Sequence, residues 1–119
     1  MSLLHSEQEA AAVAVAPRVS LDDILGQIAE EYYVLGHEAV GEPLKVYPNG
    51  TVHPLGLLTI CILVMKNGFT VIGKSAPASP ENFNAELGRK FAHEDCVRQL
   101  WPLMGFALRD RLSAQKGEK

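Results

Sequence analysis

The chain has 119 residues, of which 47 % are hydrophobic and 21 % charged, with a formal net charge of −3. This composition excludes a disordered, collagen-like or coiled-coil chain and leaves one globular domain whose core needs neither metal nor disulfide. The acidic balance argues against a protein that binds DNA by covering phosphates.

Residues 1–17 read as a loose tail ahead of a single domain over 18–112, with a frayed tail over 113–119. Within the first segment, Ala10–Ala16 is briefly apolar. It is preceded by Glu7 and Glu9 with no Lys or Arg, so it lacks the basic region of a signal peptide, and it is far too short to span a bilayer. A cytoplasmic protein without membrane contact is expected. Ser20 followed by Leu-Asp-Asp is a helix N-cap with acid in the first turn. Leu21, Ile24, Leu25, Ile28 and Tyr32 then fall at helical spacing, which predicts a helix to about Val34, stopped by Gly36.

Residues 36–56 are rich in Gly and Pro, and Lys45–His53 predicts a small hairpin over Asn49-Gly50. The run Leu57–Lys66 is β-branched and apolar at every position, as in a strand buried on both sides. Asn67-Gly68 and a second run to Lys74 follow, which predicts strands at 57–66 and 69–75 joined by a type I′ turn. Ser79-Pro80-Glu81 reads as the start of a helix. Apolar residues repeat at helical spacing from Leu87 to Leu108, and Pro102 is expected to kink or split that helix. The predicted class is α+β: an N-terminal helix, a central antiparallel hairpin sheet and a long kinked C-terminal helix. A hairpin apolar on both faces needs cover on two sides, which favours an oligomer, at least a dimer.

Charge is uneven along the chain. Residues 1–73 carry three basic side chains against eight acidic ones, whereas residues 74–111 carry six basic against five acidic. The C-terminal third is therefore where an anionic ligand would bind, although solvated helix faces give the same pattern. Cys61 and Cys96 lie outside any CxxC spacing and read as buried thiols. The four histidines show no metal-ligand spacing, and neither metal nor cofactor is expected. There is no GxSxG, no HExxH and no phosphate-cradling glycine loop, so the chain does not read as an enzyme. What remains is recognition chemistry: Asn82, Phe83 and Asn84 at a loop-to-helix junction, Arg89 and Lys90 about two turns on, and Arg98, Arg109 and Arg111 further along. A ring, amides and guanidinium groups suit a nucleotide with a pyrophosphate. Phe83 packing on Leu87, and arginines paired with Glu86, Glu94 and Asp110, would account for the same residues structurally.

Three strings, Thr59–Ser75, Ala78–Lys90 and Trp101–Arg109, together resemble recurring elements of a family of small phage and prophage proteins, and the leading helix Val19–Tyr33 extends the likeness. That family resembles, or includes, the anti-Thoeris sponges, which hold a cyclic ADP-ribose immune signal without cleaving it. Some members also capture cyclic oligonucleotide signals. The resemblance implies a phage-encoded protein in the bacterial host cytoplasm that sequesters a cyclic nucleotide. It also implies a homo-oligomer, a dimer or a larger assembly up to a hexamer, with pockets at subunit interfaces. The residues inside the matching motifs are Phe83, Asn84, Arg89, Lys90 and Arg109. Phe83 or Arg109 would stack on adenine, Asn84 would meet ribose or a base edge, and Arg89 and Lys90 would hold the pyrophosphate. Family members often carry Glu-Ser-Ala-Cys where this chain has Lys74-Ser75-Ala76-Pro77, a reversed charge beside the expected pocket. The alternative is a phage protein that inhibits a host enzyme or defence protein by direct binding.

Overall fold

A computed structural model describes residues 16–117. Most of the expected N-terminal tail and the last two residues of the expected C-terminal tail lie outside the described residues. Helix α1 (Leu21–Gly26) begins at the anticipated cap: Ser20 Oγ accepts from the Asp23 N–H at 3.0 Å, and Asp23 Oδ2 accepts from the Ser20 N–H at 2.9 Å. This reciprocal box satisfies two donors that a helix start otherwise leaves bare. It also holds the Asp23 carboxyl below its ordinary range, with lesser help from Arg18 and Arg111.

The helix ends at Gly26, eight residues before the expected end at about Val34. Strand β1 (Ile28–Leu35) takes its place and pairs antiparallel with β2 (Thr59–Met65), which pairs in turn with β3 (Thr70–Ser75). The sheet therefore has three strands in sequence order, one more than the predicted hairpin. A helical stripe through Ile28 and Tyr32 competes here with a strand in which Tyr32 and Val34 share one face, while a register shift between Ile28 and Glu30 turns Ile28 to the other, opposite Met65. Pairing along the whole of β2 decides between the two. Between β1 and β2 the chain forms a short helix, α2 (Gly36–Ala39), and a bridge between Val46 and Val52 with Gly50 at φ +86°. That bridge is the small expected hairpin over Asn49-Gly50.

The β2–β3 turn differs from the predicted type. Gly68 has φ +89°, and no described non-glycine residue has positive φ. A type I′ turn needs two such residues. Instead the Gly68 N–H reaches Met65 O at 2.9 Å and the Met65 N–H reaches Phe69 O at 2.8 Å. This is a three-residue loop with one left-handed glycine.

Helix α3 (Ala85–Gln115) runs 31 residues. Its start is later than expected: Pro80–Asn82 forms a separate 3-10 turn, and Asn84 is the true N-cap. It also continues through Pro102 as one helix, so the split that was one of the two expected outcomes does not occur. Pro102 lies on the exposed side, so water can take the backbone bond that the ring removes.

The core sits between α3 and one sheet face. Cys61, Leu63 and Met65 of β2 and Val71 of β3 are buried against Ala92, Cys96, Val97 and Leu100 of α3, with Ile24 closing one end. Each large buried side chain contributes about 1.5–3 kcal/mol. The other sheet face is different. Ile60, Ile62 and Val64 are only half-buried, so among the described residues β2 is fully covered on one side, not on both.

Helix and sheet meet most closely at Gly73. A Cβ built there would lie 2.3 Å from Ala92 O and 2.7 Å from Cys96 Sγ, closer than atoms approach. Gly73→Ala is expected to cost about 3 kcal/mol, read as a fall in urea midpoint. Gly105→Ala is the control, because nothing lies within 4 Å of its built Cβ. It should stabilise the helix by about 0.5–1 kcal/mol.

Candidate functional site

Four of the five anticipated ligand residues gather at the N-terminal end of α3. The Pro80–Asn82 turn delivers Phe83 in extended backbone, half-buried. Asn84 follows as the helix cap, and its Oδ1 accepts from the Leu87 N–H at 3.0 Å. The carbonyl end of that amide is thus committed to the helix, and its NH₂ end remains for a ligand. Arg89 and Lys90 are exposed on the next turn and form no ion pair among the described residues.

Arg109 stands apart. It is exposed on the same helix, twenty residues beyond Arg89. At 1.5 Å and 100° per residue it lies about 30 Å away and roughly 200° around the axis. Within one chain Arg109 and Arg89 do not face the same ligand.

Arg89 lines a small pocket of about 190 Å³ with Tyr33 and Leu35 of β1, Glu38 of α2, Thr59 of β2 and Ala85. Glu38 is oriented by the Leu35 N–H, which donates to Oε1 at 2.8 Å. The Tyr33 hydroxyl donates to Glu31 Oε1 at 2.9 Å, and His93 Nε2 lies 3.9 Å from the same oxygen. Burial and that carboxylate push the Tyr33 phenol well above its ordinary range, so it stays a neutral donor. Sequence reading had placed Tyr33 in a helix and overlooked Thr59 and Glu38. The threonine at the head of an apolar strand was the available signal.

Thr59 is 2 % exposed, and its Oγ1 has no hydrogen-bond partner. It fits under α3 because Gly88 has no side chain: a Cβ there would lie 2.6 Å from that oxygen. A buried hydroxyl without a partner costs about 1–3 kcal/mol. Thr59→Val removes it at constant shape and is expected to raise stability by about 1 kcal/mol, an increase in Tm of roughly 4 °C or more. An unchanged or lower Tm by calorimetry would show the hydroxyl to be satisfied in solution.

A larger cleft of about 700 Å³ opens at the other end of the domain, between α1, the β2–β3 turn and the later half of α3. Its floor is apolar, with Met65, Leu100 and Met104. Its rim carries Arg18 and Arg111 against Asp22 and Asp23, a balanced set that gives an anion little net attraction. None of the five anticipated residues lines it.

Cys61 and Cys96 are both buried and free. The Cys96 thiol is pushed up to about 12 by burial, and Cys61 is raised for the same reason. Thiolates are the reactive form. Native protein at neutral pH should therefore be silent to a thiol reagent and release two equivalents per chain only when unfolded. Rapid labelling of folded protein would contradict this. Among the described residues no group of three or more His, Cys, Asp or Glu can hold a metal ion, and no helix is long and apolar enough to cross a membrane.

Residues 19–112, more than three quarters of the chain, match the model of the phage protein (N4 Gp49/phage Sf6 gene 66) family. No curated protein and no solved structure matched the chain. The chain belongs to that phage protein family.

Proposed function

We propose that this phage protein is a sponge that binds a cyclic nucleotide immune signal in the host cytoplasm and holds it uncleaved. The observation that carries this reading is the cationic end of α3. Two unpaired basic side chains, Arg89 and Lys90, stand beside a half-buried ring, Phe83, and a free amide. Guanidinium forks take phosphate oxygens in pairs, and a flat ring stacks on a base.

The pocket beside Arg89, at about 190 Å³, is smaller than the roughly 300–1,000 Å³ of ordinary small-molecule sites. A nucleotide therefore needs walls from a second copy. A homo-oligomer also resolves the placement of Arg109, which reaches the ligand from a neighbouring chain when two α3 helices run antiparallel. A sponge must outcompete the host receptor, and nanomolar binding corresponds to about −12 kcal/mol. A cyclic ligand is already rigid and loses little freedom on binding. Two or three charged contacts and a stack, desolvated at an interface, meet that requirement without activating water.

A second reading has its own support. Phe106 on α3 is 72 % exposed and Leu103 is 47 % exposed, which suits a protein that inhibits a host enzyme or defence protein by direct binding.

One experiment separates the two. Pure protein is mixed with cyclic ADP-ribose isomers and with cyclic di- and trinucleotides, freed of unbound ligand and heated. The supernatant is then read by mass spectrometry. Release of an intact ligand is expected, with retention falling about tenfold to a hundredfold in Arg89→Ala and Arg109→Ala at unchanged melting temperature. Altered ligand would show an enzyme. No retained ligand would favour the inhibitor, and full retention in both variants would remove the assigned site.

A further inference from the structure

The pocket beside Arg89 lies between the first turns of α3 and the strands β1 and β2. Ala85 and Arg89 are four residues apart and so share one side of the helix. Both line the pocket together with Tyr33 and Leu35 of β1. His93, another four residues on, meets Glu31 of the same strand at 3.9 Å, so this side of α3 continues along β1.

Two opposite charges line this pocket and do not pair. Arg89 forms no ion pair among the described residues, although Glu38 borders the same cavity. Glu38 Oε1 accepts from the Leu35 N–H, and the second carboxylate oxygen has no partner. Thr59 forms the floor, and its buried hydroxyl has no partner either. The Tyr33 hydroxyl is taken by Glu31, so the tyrosine serves as an apolar wall with Leu35 and Ala85. A cavity with a cation at one side, and a carboxylate and a hydroxyl at the other, fits a ligand with an anionic end and a hydroxyl end. Its volume of about 190 Å³ is the share of roughly six waters. That is room for a sugar ring and its hydroxyls, but not for a base as well.

We infer that this pocket is the subsite for a ribose bearing a phosphate, with two neighbouring sugar hydroxyls on Glu38 and Thr59 and the phosphate on Arg89. The inference rests on the sponge reading for its choice of a phosphorylated sugar, and adds which part of the signal is held here. A hydroxyl that donates to a carboxylate makes a charge-assisted bond. The threonine hydroxyl both donates and accepts, so it takes the second sugar hydroxyl in either sense. Lys90, beside Arg89 on the helix, matches the further charge of a phosphate monoester or a pyrophosphate. The unanswered Thr59 hydroxyl costs stability in the empty protein, and bound sugar removes that cost. Polar groups placed to meet a ligand hydroxyl reject an analogue that lacks it. A nucleotide ring closed from 3′ oxygen to 5′ phosphate has no free pair of neighbouring hydroxyls, so the subsite favours rings that close elsewhere.

The test titrates the full chain with ribose 5-phosphate, 2-deoxyribose 5-phosphate and inorganic phosphate, read by saturation-transfer NMR. Ribose 5-phosphate is expected to bind at about millimolar strength. The deoxy sugar should bind about tenfold more weakly, and phosphate more weakly still. Glu38→Gln keeps an acceptor for the Leu35 N–H, and Thr59→Val keeps the shape of the floor. Each should remove most of the preference for ribose over deoxyribose, whereas Arg89→Ala should weaken all three probes. Thr59→Val is expected to be the more stable protein, so its loss of preference is not a loss of fold. No binding of either sugar phosphate, or equal binding of both, overturns the subsite. So does a preference that survives both Glu38→Gln and Thr59→Val. The two readings fail separately. A chain that retains a cyclic nucleotide but does not distinguish the two sugars keeps the sponge and loses the subsite. A chain that distinguishes them but retains no cyclic nucleotide keeps the subsite and loses the sponge.

Discussion

The closeness of α3 to β3 governs this molecule. Gly73 has no side chain, so the helix backbone at Ala92 and Cys96 settles directly on the strand. Only at that distance can Asp95 and Gln99 reach past the core to the outer backbone of β3. Gly88 does the same one strand inward, admitting Thr59 beneath the helix. Two glycines on different elements thus set the depth of the helix and, through it, which surfaces of the sheet are closed and which stay open.

That one-sided cover organises the candidate site. α3 spends its inner side on the core and its Asn84 cap on its own first turn. Its cations are left outside, beside a pocket too small for a nucleotide. The second sheet face is left apolar and only half-shielded by its own strands. Among the described residues, a small pocket beside Arg89 and one apolar sheet face are thus left open. The balanced charges around the larger cleft, by contrast, give that cavity a structural rather than an anion-binding character.

Much of this was legible beforehand. β2 and β3 were visible because β-branched runs on either side of Asn67-Gly68 have no good alternative to a hairpin. The C-terminal helix was visible because its apolar period persists for several turns. The misreadings have local causes. Ile28 and Tyr32 are four residues apart, which fits a helical stripe, whereas the strand shifts register between Ile28 and Glu30 and sets the two on opposite faces, so no unbroken period of two marked β1. Ser79-Pro80 has the chemistry of a helix start, but the turn it begins closes after Asn82. Pro102 breaks a helix only where the lost bond is buried, and exposure is not written in the residue itself.

Local chemistry by itself therefore determined the Ser20 cap, the β2–β3 hairpin, the long helix, the thiols hidden from solvent and the membership of a phage family carried by three linked motifs. Tertiary structure alone decided that residues 28–35 become a strand, that β2 is covered on one face, and that Arg109 parts from Arg89. The reason is physical. Capping and turns depend on bonds between residues a few places apart, whereas strand choice and burial depend on partners dozens of places away. The free energy of those distant contacts overrides a local period that by itself reads as a helix.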